Sequence, residues 1–438
     1  MTTLAASRPA RRGQLAFGAA FGALVVLALL LRLLYVDATP GYELRHDARD
    51  YELHAQSLAV GEGYSRHVAY GRPTAFRPPG YPYFLAGVYK LAGVERAPAP
   101  RRIHTARIAQ AYVGTAVVAL IGVLAALLWG RLPGLIATAL AAIYVPLILV
   151  GGAVMSEPLF DVAMLAALVA AVWHRRSSHR YRYAVLTGVL AGLAILTRAN
   201  ALVLLAPLAF AVWDVRPRTA WRSLGPPAAL LAAALVTLAP WTIRNAKLFH
   251  AFVPVSTQLG SSLAGTYNDA ARDDPDNPGA WRSIKHVPQY AGLWRQVRST
   301  PEPVLERRLR RAALEYAFDH PLYVARVGFW NTARMLDLDG RRRWRATAAT
   351  ITIDAKWADR GAWCFWAFAL LAIAGAPTSL ARRAPPWLWA VPALLLLSVV
   401  FLAVETPRYR TPLDPFVVLL AALALAAAGR RMGAGRDA

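Results

Sequence analysis

Cysteine is almost absent: Cys364 is the only one in 438 residues, so neither an intrachain disulfide nor a thiolate metal cluster can form. Cysteine usage therefore says nothing about redox compartment. Lysine is scarce as well, with Lys90, Lys247, Lys285 and Lys356 the only four. Acidic residues number 25 against 49 basic ones, so the net charge of +24 is carried by arginine, whose guanidinium forks suit anionic ligands. Charged residues of either sign make up 17% of the chain and the hydrophobic set 57%, which excludes intrinsic disorder and most soluble folds. A nucleic-acid reading would need a basic soluble face with aromatic or motif support, whereas many of these arginines flank apolar runs.

What the chain has in quantity is long apolar runs. A bilayer core about 30 Å thick takes about 20 helical residues. Ten stretches are candidates: Gln14–Tyr35, Ile108–Trp129, Leu132–Val150, Leu159–Trp173, Tyr183–Thr197, Ala199–Trp213, Leu224–Ile243, Gly361–Leu380, Trp387–Val404 and Pro412–Ala428. The first is longer than a signal-peptide core and is expected to be retained. Arg8, Arg11 and Arg12 precede it; Arg131, the Arg175–Arg182 group, Arg216, Arg218, Arg222, Arg382, Arg383, Arg430, Arg431 and Arg436 fall on the same side of an alternating topology. That side holds 16 basic residues against two acidic ones, Asp214 and Asp437, and so predicts two cytoplasmic termini. The expectation is an all-α polytopic membrane protein, one integral domain over residues 1–438. Tryptophans at span ends (Trp129, Trp173, Trp213, Trp241, Trp387) read as interface belts.

Two long segments, residues 36–107 and 244–360, then face the outside. In the first, Pro82–Gly93 has the length of an interfacial or re-entrant helix. In the second, Asn268–Gly279 is a turn-rich loop, Pro303–Phe318 an amphipathic helix with Leu305, Leu309, Ala312 and Tyr316 on one face, and Leu322–Leu336 a further interfacial stretch.

Ionisable residues beside a membrane are costly and often functional, and here they gather on the outer side. The first outer loop opens on His46-Asp47-Ala48-Arg49-Asp50-Tyr51 and reaches Phe76-Arg77-Pro78-Pro79-Gly80-Tyr81-Pro82. Later outer ends carry Met155-Ser156-Glu157-Pro158, Pro240-Trp241-Thr242-Ile243-Arg244-Asn245 and Glu405-Thr406-Pro407-Arg408-Tyr409-Arg410. Each has a plainer explanation. Asp47 is equally a solvated loop carboxylate, Glu157-Pro158 a helix start, Arg244 and Arg408 interfacial anchors, and the prolines around Arg77 a turn. His46, Asp50 and His54, four residues apart, would share a helix face compatible with a divalent cation. Asp161 reads as a buried partner for Arg198.

In their order, the acidic loop start, RPPGYP, SEP, LTRAN, PWTIRN and PRYRTP resemble the integral-membrane GT-C glycosyltransferases that use polyprenyl-phosphate sugars, in particular the family 39 group of protein O-mannosyltransferases and aminoarabinose transferases. The resemblance spans nearly the whole chain and rests on motif order, since no single motif is specific. It implies a GT-C-like fold of about ten transmembrane helices with interfacial helices in a long first outer loop. It further implies sugar transfer from a polyprenyl-phosphate donor to a lipid, glycan or protein acceptor on the extracytoplasmic face of the bacterial cell envelope, with inversion and no required cofactor. Asp47, by position, would be the general base and Glu157 would orient sugar or acceptor; Asp50, Tyr51, Arg77, Arg244 and Arg408 would bind substrate, with Arg198 a weaker candidate. The paired acidic residues of many relatives are not reproduced, because Ala48 follows Asp47, and Asp50 stays open as the base. The alternative is a membrane transporter or lipid flippase, which would show inverted repeats and a mid-membrane polar site.

Overall fold

The computed structural model describes residues 8–66, 72–213, 221–297, 299–402 and 407–434. Glu405, Thr406, Asp214, Arg216, Arg218, Arg436 and Asp437, and the side chains of Arg8, Arg11, Arg12 and Arg222, lie outside what is described. The described residues are helical almost throughout and contain no strand. In order the helices are α1 (Arg8–Asp37), α2 (His46–Val60), α3 (Gly80–Leu91), α4 (Ala99–Trp129), α5 (Arg131–Ile143), α6 (Val145–Gly151), α7 (Glu157–Arg176), α8 (Arg180–Thr197), α9 (Leu205–Val212) and α10 (Gly225–Phe249). There follow α11 (Gln258–Thr266), α12 (Asp269–Arg272), α13 (Ala291–Arg295), α14 (Glu302–Asp319), α15 (Pro321–Met335), α16 (Arg341–Ala349), α17 (Ala355–Gly375), α18 (Ser379–Arg383), α19 (Pro386–Val400) and α20 (Asp414–Ala434).

The described residues of all ten apolar stretches are largely helical, with altered boundaries, and 403–404 of the ninth lie outside what is described. Among the described residues α1, α4, α7 and α10 are each long and apolar enough to cross a bilayer alone, and α5 with α6 makes a fifth, bent by 59°. Residues 199–212 and α19 are shorter apolar helices, and α8, α17 and α20 fall outside that set. The expected Leu132–Val150 span is broken at Tyr144 (φ −69°, ψ 104°), two residues before Pro146, which has no N–H for the Ala142 carbonyl. Arg198 interrupts the pair around it, extended at φ −146° and ψ 117°.

The largest core lies between α4, α5, α7, α8, α10, α17, α19 and α20. Small residues let these backbones approach: a Cβ on Gly188 of α8 would sit 2.1 Å from the Leu230 carbonyl of α10. Three of the tryptophans expected at an interface are buried instead, Trp129 and Trp387 in this core and Trp241 beside Tyr64, Ala75 and Val253. Trp129 donates to the Leu380 carbonyl, Trp241 to that of Val255, and Trp387 is 2% exposed.

A second core joins α2 and α3 to α6 and the 344–362 segment, so the first outer loop is built onto the bundle. A third, around Leu263, Tyr267, Leu309, Ala313, Tyr323 and Val327, belongs to the second outer segment. There α14 buries Leu309, with Leu305, Ala312 and Tyr316 packed beside it, as its periodicity requires. The Asn268–Gly279 loop contains one short helix, α12, capped by the Asn268 side chain, which accepts from the Ala271 N–H at 2.8 Å.

Candidate active site

Two carboxylates enter the site from first helical turns. Asp47 follows His46, whose φ of 44° turns the chain into α2, and Glu157 opens α7 ahead of Pro158. An N-terminal turn favours a negative charge and an N1 proline, which is why these residue types occur there.

Arg77 precedes two prolines, which disfavour a helical backbone at this position. Tyr64 fixes its backbone, the phenol donating to the Arg77 and Pro78 carbonyls at 2.9 and 3.2 Å. Gly80 then starts α3 against the end of α8, where a Cβ would meet Thr197 Oγ1 at 2.7 Å. The RPPGYP motif is thus both a turn and a close contact that delivers Arg77. Arg408 arrives on the turn Pro407–Arg410, with its guanidinium 5.0 Å from the Tyr409 ring.

These elements converge. Asp47 hydrogen-bonds Arg77 through one oxygen and Arg408 through the other. Asp50 takes Arg77 Nε and Arg66 Nε, each at 2.7 Å. Glu157 pairs with Arg198 at 2.7 Å and lies 3.6 Å from Arg408. Tyr51 OH and Arg198 both reach Ser156 Oγ, at 3.2 and 3.3 Å. The ion-paired set is three carboxylates with four guanidiniums, one positive charge in excess.

Burial alone would raise the Asp47 carboxyl, but the Arg77 and Arg408 charges outweigh it and hold the group well below the usual carboxylate range. Asp50 is lowered in the same manner by Arg77 and Arg66 against the effect of burial. Accessibility separates the two: the Asp47 side chain is 22% exposed and the Asp50 side chain 6%.

A cleft of about 530 Å³ begins at this cluster. Asp47, Tyr51, Arg77, Arg198, Arg408 and Tyr409 line its polar part, and Leu202, Val203, Leu238, Leu259, Val399 and Leu402 its apolar part. Asp50 and Glu157 do not line it; they stand behind the arginines. Arg244 does not line it either. Its guanidinium donates to the Thr74 carbonyl at 2.8 Å and stacks 4.6 Å from the Trp241 ring, so it braces the chain ahead of Arg77.

Two other expectations are corrected. Asp161 is not Arg198's partner, since Arg198 pairs with Glu157, and both Asp161 oxygens are buried without a hydrogen bond. The His46, Asp50, His54 face does not assemble: Asp50 is taken by two arginines, and His54 is buried with its Nδ1 against the Asp50 carbonyl oxygen at 2.6 Å. No group of three metal-ligating side chains occurs among the described residues.

Sequence reasoning missed Arg66, Tyr409 and Glu302. Glu302 accepts from Thr74 Oγ1 at 2.6 Å and from the Ala75 N–H at 2.9 Å, and so fixes the strand of chain leading to Arg77. Its only local signal is a Glu-Pro helix start.

Residues 76–243 match the family model described as Dolichyl-phosphate-mannose-protein mannosyltransferase. Comparison with curated proteins gives no match. Among solved structures, the apo oligosaccharyltransferase of Archaeoglobus fulgidus superposes with a TM-score of 0.55 at 13% identity, over 96% of this chain and 51% of that one. The Archaeoglobus fulgidus oligosaccharyltransferase AglB with an inhibitory peptide and a dolichol-phosphate gives 0.52 at 15% identity, over 95% and 51%. ArnT from Cupriavidus metallidurans, bound to undecaprenyl phosphate, gives 0.43 at 16% identity, over 92% and 77%. The chain spans about half the length of the archaeal enzymes it matches. The all-α membrane fold expected from the sequence is the fold observed, and it is shared with these archaeal oligosaccharyltransferases.

Proposed function

We propose, from a GT-C membrane fold as the premise, that this protein moves a sugar from a polyprenyl-phosphate donor to an acceptor on the extracytoplasmic face of the membrane. The observation that carries the reading is the cleft itself: an apolar trough ending at Asp47, Arg77, Arg198 and Arg408. A prenyl chain suits the trough, and the excess positive charge at its end suits a phosphate. The leaving phosphate gathers negative charge as the glycosidic bond breaks, and fixed guanidiniums stabilise that charge where it develops. Asp47 takes the acceptor's proton as the acceptor attacks the anomeric carbon. A single displacement of this kind inverts the anomeric centre.

The remaining residues divide by position. Asp47 is the base because it reaches the cleft, and Asp50 acts through Arg77. Tyr51 and Arg408 face the substrate, Glu157 sets Arg198, and Arg244 supports the Arg77 turn. The acceptor is a lipid, glycan or protein, and the second outer segment lies where it would help choose.

Purified protein incubated with a polyprenyl-phosphate sugar and envelope acceptors is expected to release polyprenyl phosphate. Asp47→Asn should lower turnover by about 10²-fold or more. Wild-type turnover in that variant would remove Asp47 from the chemistry. Passage of the lipid across liposomes without sugar cleavage would replace the enzyme reading with transport.

A further inference from the structure

Clamped between Arg77 and Arg408, Asp47 is a reluctant proton acceptor. The two clamps differ. Arg77 shares its guanidinium between two carboxylates, with Nε on Asp50 at 2.7 Å, and lies 5.3 Å from the Tyr51 ring. It keeps its seat when Asp47 lets go. Among the described residues Arg408 has no second carboxylate in hydrogen-bond contact. Its Nη1 is 3.6 Å from Glu157 and 3.3 Å from the Met155 sulfur, and its Nε is buried without a hydrogen-bond partner.

Arg408 also lines two spaces. One is the main cleft; the other is a cavity of about 60 Å³ shared with Asp337, Trp344 and Arg410.

We propose that Arg408 is an exchangeable partner: the phosphate of the incoming lipid donor takes its guanidinium from Asp47, so that donor binding itself frees the base. The inference rests on the donor reading above and adds a coupling to it. The donor's phosphodiester has two non-bridging oxygens and one negative charge, as a carboxylate does, and engages a guanidinium fork bidentately, so it competes with Asp47 for Arg408 on equal chemical terms. Once Arg408 leaves, Asp47 loses one of the two cations that suppress its proton affinity, while Arg77 remains on Asp50. No covalent bond changes in this step; one ion pair is traded for another. Before the donor arrives Asp47 stays tied up, which disfavours deprotonation of an acceptor when there is no sugar to receive it.

Competition has a signature that a merely supportive Asp47 would not give: removing the carboxylate should make phosphate bind more tightly. The probe is undecaprenyl phosphate, titrated calorimetrically at pH 7 into detergent-solubilised full-length protein. Asp47→Asn is expected to lower Kd by about tenfold or more, as for other close charge pairs. Asp47→Ser, which has no amide to imitate the carboxylate, should move Kd in the same direction, and thermal melting establishes that each variant is folded. Arg408→Gln should weaken binding, and adding Asp47→Asn to it should change Kd little, because the competition runs through Arg408. Unchanged or weaker binding in both Asp47 variants overturns the proposal. So does tightening that persists undiminished without Arg408, since that would report only the loss of a nearby negative charge. Failure of the base assignment reads out separately, as sugar transfer retained in Asp47→Asn.

Discussion

Asp50 holds the Nε of Arg77 at 2.7 Å and leaves the Nη2 end of the same guanidinium for Asp47. One arginine thus ties the buried Asp50 carboxylate to the more accessible one of Asp47. Asp50→Asn is expected to lower kcat by about tenfold through misplacement of Arg77, with partial recovery in Asp50→Glu. A loss as large as that of Asp47→Asn, with no recovery in the glutamate variant, would return Asp50 to candidacy as the base.

Glu157 is fully buried with Arg198 against it at 2.7 Å. Removing one partner of a buried pair strands the other charge and costs about 3–5 kcal/mol. Glu157→Gln should therefore lower the melting temperature markedly, and Glu157→Gln with Arg198→Met should recover much of the loss. An unchanged melting temperature in the single variant would show that the pair is not formed in the protein.

Arg244 braces the Thr74 carbonyl and stays out of the cleft. Arg244→Ala is expected to cost about 1 kcal/mol of stability, the scale of one hydrogen bond, and to change the Kd for undecaprenyl phosphate by less than about threefold. A tenfold loss of affinity in a variant with normal melting would place Arg244 on the phosphate after all.

Burial pushes the His54 imidazole down to about 4, against the opposing attraction of Asp50. The unfolded chain, with an ordinary histidine near 6.5, binds the proton first as pH falls. Stability should therefore be full above about pH 6.5 and decline toward pH 4, by up to about 3 kcal/mol from this group. Melting temperatures at pH 7 and pH 5 measure it: wild type should lose more than His54→Gln, and equal losses would mean that His54 is not buried neutral.

Gly80→Ala tests the contact beneath the site. Its methyl group would meet Thr197 Oγ1 at 2.7 Å and the Leu196 backbone at 3.0 Å. Overpacking of this kind costs about 1–3 kcal/mol. The variant should melt earlier and bind undecaprenyl phosphate more weakly, because Arg77 and Arg198 lie on either side of that contact; wild-type behaviour in both measurements would relax the geometry.

Much of this arrangement was legible in the chain, for reasons tied to particular residues. The helices follow from apolar runs, and the acidic helix starts at Asp47 and Glu157 and the placing of Arg77 before two prolines are local signals that local chemistry explains. What the sequence hides is long-range choice. Whether Arg198 pairs with Asp161 or Glu157 depends on the break after Thr197, and nothing near Arg244 says that Thr74 will occupy it. The bend at Tyr144 escaped notice because an unbroken apolar run looks the same straight or kinked; the phenol's hydrogen bond to Asp414 at 3.0 Å appears only in three dimensions.

Glu302 belongs to α14, yet both of its oxygens grip Thr74 and Ala75, two residues from Arg77. The distal segment is therefore tied to the chain ahead of Arg77 by this carboxylate and by the Thr257 N–H, which donates to the Ala75 carbonyl at 3.0 Å. A foreign segment transplanted between α10 and α17 must reproduce those ties, or the turn that carries Arg77 loses its support.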